Sequence, residues 1–491
     1  MKKVPDKWLY LPALILWAYL IIRLIDQSKL LFYFPLDYTN DISSYMAQLF
    51  FLDKCGFHQF CPYWYNGFTA FQFTPPAWFF FTLPLYWMFN DVKIATYVSM
   101  ILVFIIGLVS FILFGRLFNL SFVKRLAYFI FFFGNAIAIG NFIRLGDLHQ
   151  LFGWVNLAIL SFIVLYYKDR EIKTRFYWSI LFLSIVILSH QTTSILAPFI
   201  LVGLFFIKNS KEKLKIFAVG LLSLIITSFW WVPYVTGFWK TSGSSHLLTK
   251  SLLSLDIRDL PQNIATVIIP LAFLVIFYFY WNTYNRRRSE LLFFTPIIFL
   301  SLILLLRVAY FIPILKYVYP DSYLHLFIFF TLFMFFQLDV ELIKLKKFIP
   351  ATLIILSLIS ASIGLFYTPN FVTPNNVGDR TIEILDDVDD KFIIFGKGTE
   401  VYNKAVYSYA PIYLNLSTPE GWYFIFDEEQ LELSRKTRID LENENCAELD
   451  NDLNLIGAKY TIAYDEQCEI LDKCDFAEKG SLENVCLYYA D

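Results

Sequence analysis

Residues that ionise or form strong hydrogen bonds are gathered in a few short stretches of a largely apolar chain. The first stretch follows the first apolar segment and contains Asp37 and Asp41. The second, NFIRLGDLHQ, contains Arg144, Asp147 and His149. A carboxylate serves as a general base or a metal ligand, histidine does both, and a guanidinium group binds phosphate through two donors. These residue types indicate a site for acid–base, metal or phosphate chemistry.

The acidic residues also have a purely structural interpretation. Asp41 precedes an amphipathic stretch, ISSYMAQLFFLDKCG, and either Asn40 or Asp41 would cap a helix there. Asp147 and His149 form either a polar cluster at a helix end or, with Asp41, part of a divalent-metal site, and two ligands alone do not define a coordination geometry. Capping and catalysis are compatible in one residue, so both interpretations of Asp41 stay open.

Three basic residues lie in or beside apolar segments. His190 lies in the polar interruption of the apolar stretch 176–207, and is either a hydrogen-bonded turn residue or a base. Arg144 and Arg307 are expected at helix ends, where they either anchor the chain to headgroups or bind a lipid phosphate. Ionisable groups at membrane depth are costly, so they usually line a wet cavity or pair with one another.

The elements that must hold these residues are membrane helices. Of the 491 residues, 57% are hydrophobic and 17% charged, and the apolar residues occur in long uncharged runs. The N-terminal run has no small-residue cleavage site, so we interpret it as a retained helix. The sequence predicts a polytopic α-helical membrane protein with eleven spans. These are at about 9–25, 93–118, 123–141, 150–167, 176–191, 194–207, 214–235, 262–281, 291–306, 320–338 and 348–366.

Basic loops set the predicted orientation, because Lys and Arg collect on the cytoplasmic side. Eleven spans place all six basic segments, of which the N-terminus is one, on that side, and place an outer loop (26–92) and the C-terminal part on the other. The apolar run 75–89 must then lie in the outer interface, and 176–207 must fold as a hairpin. Each arm of this hairpin would be about 21–24 Å long, short of the ~30 Å hydrocarbon core, so we expect a recessed turn at His190.

The C-terminal part has a different composition. Residues 367–491 contain 26 of the 42 acidic residues but only 10 of the 40 basic ones. This predicts two domains, a transmembrane domain at 1–366 and a soluble extracytoplasmic α+β domain at 367–491. Nucleic acid is not an expected partner, since no basic stripe or nucleic-acid-binding motif occurs. Strands are predicted at 391–396, 405–416, 423–426, 459–464 and 485–489, and a helix at 427–444.

All six cysteines fall in segments predicted to be outside: Cys55, Cys61, Cys446, Cys468, Cys474 and Cys486. An even number on one face favours disulfides in an oxidising compartment. Cys55 and Cys61 would close the turn after the first-loop helix, whereas the four C-terminal cysteines allow three pairings. A metal site is the alternative, but the spacing contains no CxxC pair.

The order of these features resembles the GT-C superfamily, integral-membrane glycosyltransferases that use polyprenyl-phosphate-linked sugars. The resemblance rests on a large first outer loop with an acid soon after the first span, the helix that follows, and then the P.W.NGF and PP runs. The stretches GDLHQLFGWVNLAILSF, LSH (188–190) and LNLIGAKYTIAYDEQ also resemble a membrane family labelled 6-pyruvoyl-tetrahydropterin synthase-related. Both resemblances extend over nearly the whole chain.

The resemblance implies transfer of a sugar from a polyprenyl-phosphate-linked donor to an acceptor on the extracytoplasmic face. The abundance of Phe, Ile, Lys and Asn suits an AT-rich archaeal or bacterial genome, so the plasma membrane of such an organism is the expected location. Membrane lipids and the lipid-linked sugar are the expected partners. It implies Asp41 as the catalytic residue with Asp37 as the alternative, Arg144, Arg307 and His190 for the donor phosphate, and Mg²⁺ or Mn²⁺ on Asp41, Asp147 and His149. The chain lacks the WWDYG signature of oligosaccharyltransferases and has only GWY (421–423), which argues against whole-glycan transfer.

Two other functions fit an outer-face polar cluster. A flippase or transporter of lipid-linked glycans often shows repeated halves and charges near the midplane, and neither is evident in the sequence. A non-catalytic protein of glycan assembly would bind the same lipid-linked sugar without transferring it.

Overall fold

The computed structural model describes residues 3–34, 41–240, 250–253, 260–343, 346–367, 371–372, 376–396, 400–422 and 428–490. Its helices are α1 (Tyr10–Gln27), α2 (Ile42–Lys54), α3 (Ala77–Phe89), α4 (Val92–Arg116), α5 (Phe122–Phe133), α6 (Ala136–Ile139), α7 (Leu148–Lys168), α8 (Trp178–Ser189), α9 (Gln191–Ile207), α10 (Ser210–Ile226), α11 (Ser228–Lys240), α12 (Leu260–Thr283), α13 (Arg288–Leu305), α14 (Pro320–Gln337), α15 (Ile349–Ser362), α16 (Asn376–Leu385), α17 (Glu400–Tyr409), α18 (Glu428–Glu442), α19 (Cys446–Ile456) and α20 (Glu466–Lys473). Its strands are β1 (Phe60–Cys61), β2 (Phe68–Thr69), β3 (Phe392–Phe395), β4 (Tyr460–Tyr464), β5 (Ala477–Leu482) and β6 (Val485–Tyr489).

The chain is an integral membrane protein built mainly of helices. In the described ranges six helical segments are long and apolar enough to cross a membrane, and two bent pairs raise this number to eight. The bends are 53° after α5 and 70° between α10 and α11. Each of the eleven predicted spans coincides with a helix or a bent pair, but α8, α9 and α14 are not among those eight. The number eleven therefore stays a prediction.

The first loop contains two short helices that differ in their surroundings. The 13-residue α3 is too short to cross a membrane, in keeping with the interfacial helix predicted at 75–89. The amphipathic character predicted for α2 is wrong, because every residue from Ile42 to Leu52 is buried. The helix packs against α3, α4 and α17, so the face assigned to water is covered by the C-terminal chain.

The central helix of the membrane part is α7, which is 94% buried over its apolar window and contacts α4, α8 and α9. The apolar stretch predicted as a hairpin breaks at His190, whose extended backbone (φ −159°, ψ 138°) separates α8 from α9.

The C-terminal part contains a four-stranded sheet in the order β3-β4-β6-β5. β3 runs parallel to β4 with Phe392 opposite Tyr460, and the other pairs are antiparallel. The strands predicted at 391–396, 459–464 and 485–489 and the helix predicted at 427–444 are confirmed as β3, β4, β6 and α18. The predicted strand 423–426 lies outside the described residues. The polar edge strand β5 was not predicted, because its side chains are largely exposed and give no apolar signal.

The strand predicted at 405–416 is wrong. This segment forms the end of α17 and a π-helical turn, Ala410–Leu414. Its aromatic residues suggested a strand, but Val406, Tyr407 and Ala410 share one helix face and pack into the sheet core. Helical periodicity therefore overrides β-like composition here.

All six cysteines are paired in the structure. Cys55 is joined to Cys61, Cys446 to Cys474 and Cys468 to Cys486. The last two bridges tie α20 to α19 and to β6.

Candidate functional site

A polar cluster surrounds the start of α7. Asp147 caps this helix, and its Oδ1 accepts the backbone N–H of Gln150 at 3.3 Å. Tyr45 of α2 donates its hydroxyl to the same oxygen at 3.2 Å, and that hydroxyl lies 3.2 Å from Nε2 of His149. Nε2 of His149 is itself 3.2 Å from Asp147 Oδ1. Helices α2 and α7 thus bring a carboxylate, an imidazole and a phenol into mutual contact.

His190 reaches this cluster from the break between α8 and α9. Its Nε2 lies 3.8 Å from Asp147 Oδ2, and its ring centroid lies 4.9 Å from that of His149. Its Nδ1 is held by Thr192, at 2.8 Å from the hydroxyl and 3.2 Å from the backbone nitrogen. Because Thr192 fixes the ring, Nε2 is the nitrogen that faces Asp147. His190 is therefore both a hydrogen-bonded turn residue and a member of the cluster.

Within the described ranges, Asp147, His149 and His190 form a group whose donor atoms all lie within 4.8 Å of one another, close enough to hold a metal ion. The predicted set contained Asp41 in place of His190. One carboxylate and two imidazoles suit Mn²⁺ or Zn²⁺ better than Mg²⁺, which favours oxygen ligands and water. The donor set thus fits a transition-metal ion.

Asp41 lies beside the cluster at the start of α2. Its backbone N–H donates to the carbonyl of Leu145 at 2.6 Å, which ties the first loop to the turn before Asp147. Asp41 occupies the N-cap position of α2, but its side chain makes no capping bond. Its Oδ1 accepts the indole N–H of Trp422 at 3.1 Å instead. Helix capping therefore does not account for this carboxylate.

The two carboxylates influence each other. Burial, followed by the negative charge of Asp41, raises the pKa of Asp147 from 3.8 to about 7, and the hydrogen bonds from Gln150 and Tyr45 oppose this rise. A nearby like charge and desolvation are the two common causes of a raised carboxyl pKa, and they often mark functional sites. A proton or a cation bound at Asp147 would relieve both.

The other predicted site residues are placed less directly. Arg144 ends a π-helical turn, Gly140–Arg144, three residues before Asp147. Arg307 binds α12 instead, through Thr266 Oγ1 at 2.6 Å and the carbonyl of Asn263 at 3.2 Å. No described contact joins Arg307 to the cluster. Asp37 lies outside the described residues.

Sequence reasoning missed Tyr45 and Trp422. Tyr45 follows Asp41 by four residues, so the two lie on the same side of α2, and this spacing was a usable signal. Trp422 lies 381 residues from Asp41 in the chain, and no local pattern links them.

No protein-family model matches the sequence, and no curated protein matches it either. The fold is similar to that of arabinofuranosyltransferase AftD from Mycobacteria, solved by single-particle cryo-EM, with a TM-score of 0.52 and 13% sequence identity. The similarity covers 100% of this chain but only 40% of AftD, so the chain spans less than half of that protein's length. This finding supports a GT-C-like fold. The resemblance to the pterin-synthase-related family stays a prediction.

Proposed function

We propose that the protein is a GT-C-type membrane glycosyltransferase that moves a sugar from a polyprenyl-phosphate-linked donor to an acceptor hydroxyl. The observation that carries the proposal is the position of Asp41, a first-loop carboxylate beside Asp147 in a fold similar to that of an arabinofuranosyltransferase. A fold alone does not fix an activity. The proposal therefore depends on the chemistry of this site.

In the proposed reaction Asp41 is the general base. Its carboxylate takes the proton of the acceptor hydroxyl while that oxygen attacks C1 of the donor sugar. The new C1–O bond forms as the bond from C1 to the phosphate oxygen breaks, and the electron pair leaves with the polyprenyl phosphate. Arg144 is the first candidate to stabilise the departing charge, because it lies in the same short segment as Asp147. Arg307 ranks below it, since its guanidinium is engaged by α12.

The cluster of Asp147, His149 and His190 would hold a divalent ion, and its two imidazoles favour Mn²⁺ over Mg²⁺. A bound ion would supply positive charge for the donor phosphate. Tyr45 and Thr192 position two of the ligand side chains through their hydroxyl groups. This choice of ligands replaces Asp41 with His190 and leaves Asp41 for the acceptor.

The disulfides support an outer location for the site. Cys55–Cys61 lies in the first loop with Asp41, and the other two pairs lie in the C-terminal part that supplies Trp422. Disulfides persist in oxidising compartments. We therefore propose that the first loop and residues 367–491 face the outside. We further propose that residues 1–366 span the plasma membrane of an archaeon or bacterium, with the N-terminus in the cytoplasm.

The test is sugar transfer by Asp41→Asn in the full-length protein reconstituted in lipid nanodiscs, with a radiolabelled polyprenyl-phosphate sugar as donor. We expect a loss of transfer of at least roughly a hundredfold with unchanged donor binding. Asp53→Asn is the matched control, because Asp53 is another α2 carboxylate bonded to a tryptophan, the exposed Trp87, but at the opposite end of the helix from Asp41. Full activity of Asp41→Asn refutes the role of Asp41, and inactivity of Asp37→Asn alone would move that role to Asp37.

A further inference from the structure

Trp422 brings the C-terminal chain into the candidate site. Its indole N–H donates to Oδ1 of Asp41 at 3.1 Å in a partly buried position. Trp422 belongs to the C-terminal part and Asp41 to the first loop, so two distant segments meet at one carboxylate. We propose that Trp422 is a positioning residue that fixes the orientation of the Asp41 carboxylate, and that the C-terminal part thereby completes the site in cis. This inference rests on the proposed function.

The segment that carries Trp422 is held on the first loop by its backbone. The N–H of Thr418 donates to the carbonyl of Tyr63 at 2.7 Å, and the N–H of Asn66 donates back to the carbonyl of Thr418 at 3.3 Å. These two bonds join the segments as paired strands would be joined. Gly421 lies so close to Trp64 and Tyr65 that a Cβ there would approach their rings to 2.8–2.9 Å. Only a glycine lets the chain pass this surface without displacing the next residue, Trp422.

The same segment is held from the opposite side by α18. Glu420 pairs with Arg438 at 2.6 Å and also accepts a hydrogen bond from Ser434. The hydroxyl of Thr418 donates to the Glu420 carbonyl at 2.6 Å, which closes the turn locally. Trp422 thus follows a turn that is fixed on two sides, so the position of its indole does not depend on the bond to Asp41 alone.

Two further hydrogen bonds hold the first loop against the C-terminal part. Trp64 donates its indole N–H to the carbonyl of Tyr407 at 2.7 Å, and the side chain of Asn66 donates to the carbonyl of Ile456 at 2.8 Å. Trp64 is buried. These contacts lie away from Asp41 and would persist without Trp422, so a change at Trp422 is separable from undocking of the C-terminal part.

The chemical consequence is orientation of the base. A carboxylate that rotates freely presents its oxygens to the acceptor for only part of the time, and a fixed donor restricts that rotation before substrate arrives. Since the indole donates to a charged oxygen, its bond belongs to the stronger class of hydrogen bonds. Loss of the bond should therefore slow the chemical step and leave donor affinity unchanged.

The test compares Trp422→Phe with Trp87→Phe in the full-length protein in nanodiscs. Both changes remove an indole N–H that donates to an aspartate, but the exposed Trp87 binds Asp53, at the opposite end of α2 from Asp41, at 2.8 Å. We expect Trp422→Phe to lower kcat by roughly ten- to a hundredfold, as expected for a bond to a charged group, with KM for the donor unchanged within about twofold. Trp87→Phe should leave both constants unchanged. Gly421→Ala should reproduce the loss of kcat with the tryptophan still present.

A second readout does not require activity. In protein labelled with 5-fluorotryptophan, the ¹⁹F resonance that Trp422→Phe removes should shift in Asp41→Asn and stay in place in Asp53→Asn. The resonance removed by Trp87→Phe should behave in the opposite way. A resonance of Trp422 that is indifferent to Asp41→Asn overturns the inference even if kcat falls.

The two proposals fail in different ways. Wild-type kcat in Trp422→Phe, together with an inactive Asp41→Asn, overturns the positioning role and leaves the proposed function intact. An active Asp41→Asn overturns the proposed function, and the ¹⁹F shift then decides separately whether the contact with Trp422 exists. Equal losses of kcat and of donor affinity in Trp422→Phe would indicate a general structural role and would also overturn the inference.

Discussion

Replacing Asp147 by Asn tests the electrostatic description of the site. The amide keeps the shape of the carboxylate at the start of α7 but does not ionise. In the wild-type protein, burial and the charge of Asp41 raise the pKa of Asp147 from 3.8 to about 7. The ionised carboxylate is therefore less favourable in the folded protein than in the unfolded chain. Without a bound cation, we expect Asp147→Asn to stabilise the protein at neutral pH.

The sign and size of this effect follow from proton binding. Below about pH 4 Asp147 is protonated in both states, and its contribution to the free energy of unfolding is fully present. Between about pH 4 and pH 7 the unfolded chain releases the proton while the folded protein keeps it, so stability falls as the pH rises. A pKa difference of about 3 units corresponds to roughly 4 kcal/mol above pH 7. This figure is an upper limit, because the side chain is 19% exposed and solvent screens it.

The assay is the free energy of unfolding in detergent with a chelator, measured from about pH 4 to pH 8 for both proteins. The variant should be more stable by up to roughly 4 kcal/mol at pH 8 and no different at pH 4. Added Mn²⁺ should stabilise the wild type at pH 8 and leave the variant unchanged. A difference between the two proteins that is independent of pH would refute the raised pKa. Asp53→Asn shows what the same change does outside the cluster.

Two further predictions concern packing away from the site. Nζ of Lys168 lies 2.7 Å from both oxygens of the buried Glu290. Lys168→Met should therefore leave a buried charge unpaired and lower the free energy of unfolding by about 3–5 kcal/mol. Adding Glu290→Gln should recover most of this loss in the same unfolding assay, and no recovery would contradict the pairing. A Cβ at Gly203 would collide with the carbonyl of Phe293 in α13, so Gly203→Ala should destabilise the protein by about 2 kcal/mol. Gly220 faces open space, so Gly220→Ala is the control and should not destabilise it. Equal melting curves of the two variants would show that α9 and α13 do not approach this closely.

The helices could be predicted because their signal is local. Apolar runs, charged loops and the polar interruption at His190 are visible in short windows, and each coincides with a helix or a break. The errors arose where tertiary contacts decide the outcome. Polar residues in α2 suggested a wet face, but Ser43, Ser44 and Gln48 are buried under neighbouring elements. The segment 405–416 has strand-like composition and is helical because one helical face fills the sheet core.

The candidate site could be predicted only in part, for the same reason. Asp147 and His149 are two positions apart in the sequence, and a turn before a helix places them together. His190 joins them through the packing of α7 against the break after α8, which no spacing in the sequence encodes. Trp422 comes from a segment fixed by backbone bonds to the first loop. Sequence reasoning therefore placed Asp41, Asp147 and His149 together and missed that His190 and Trp422 join them.

The site is made of helix ends, and this explains its polarity. Backbone groups at a helix start have no intrahelical partner, and lipid offers none. Here Asp147 bonds the N–H of Gln150, His190 bonds that of Thr192, and Leu145 accepts that of Asp41. The starts of α2 and α7 also bring positive helix-dipole ends to the two acids.

Even so, the pKa of Asp147 is raised to about 7, because burial and the charge of Asp41 outweigh the hydrogen bonds from Gln150 and Tyr45. Closing the helix ends would require only one neutral acceptor at each. The second acid, Asp41, and the imidazole of His149 add a desolvation cost beyond that requirement, whereas His190 also caps α9 by accepting the N–H of Thr192. A cation bound between Asp147, His149 and His190 would offset that cost, as would a proton on Asp147, so the cluster has both the charge and the donor atoms that suit a cation site.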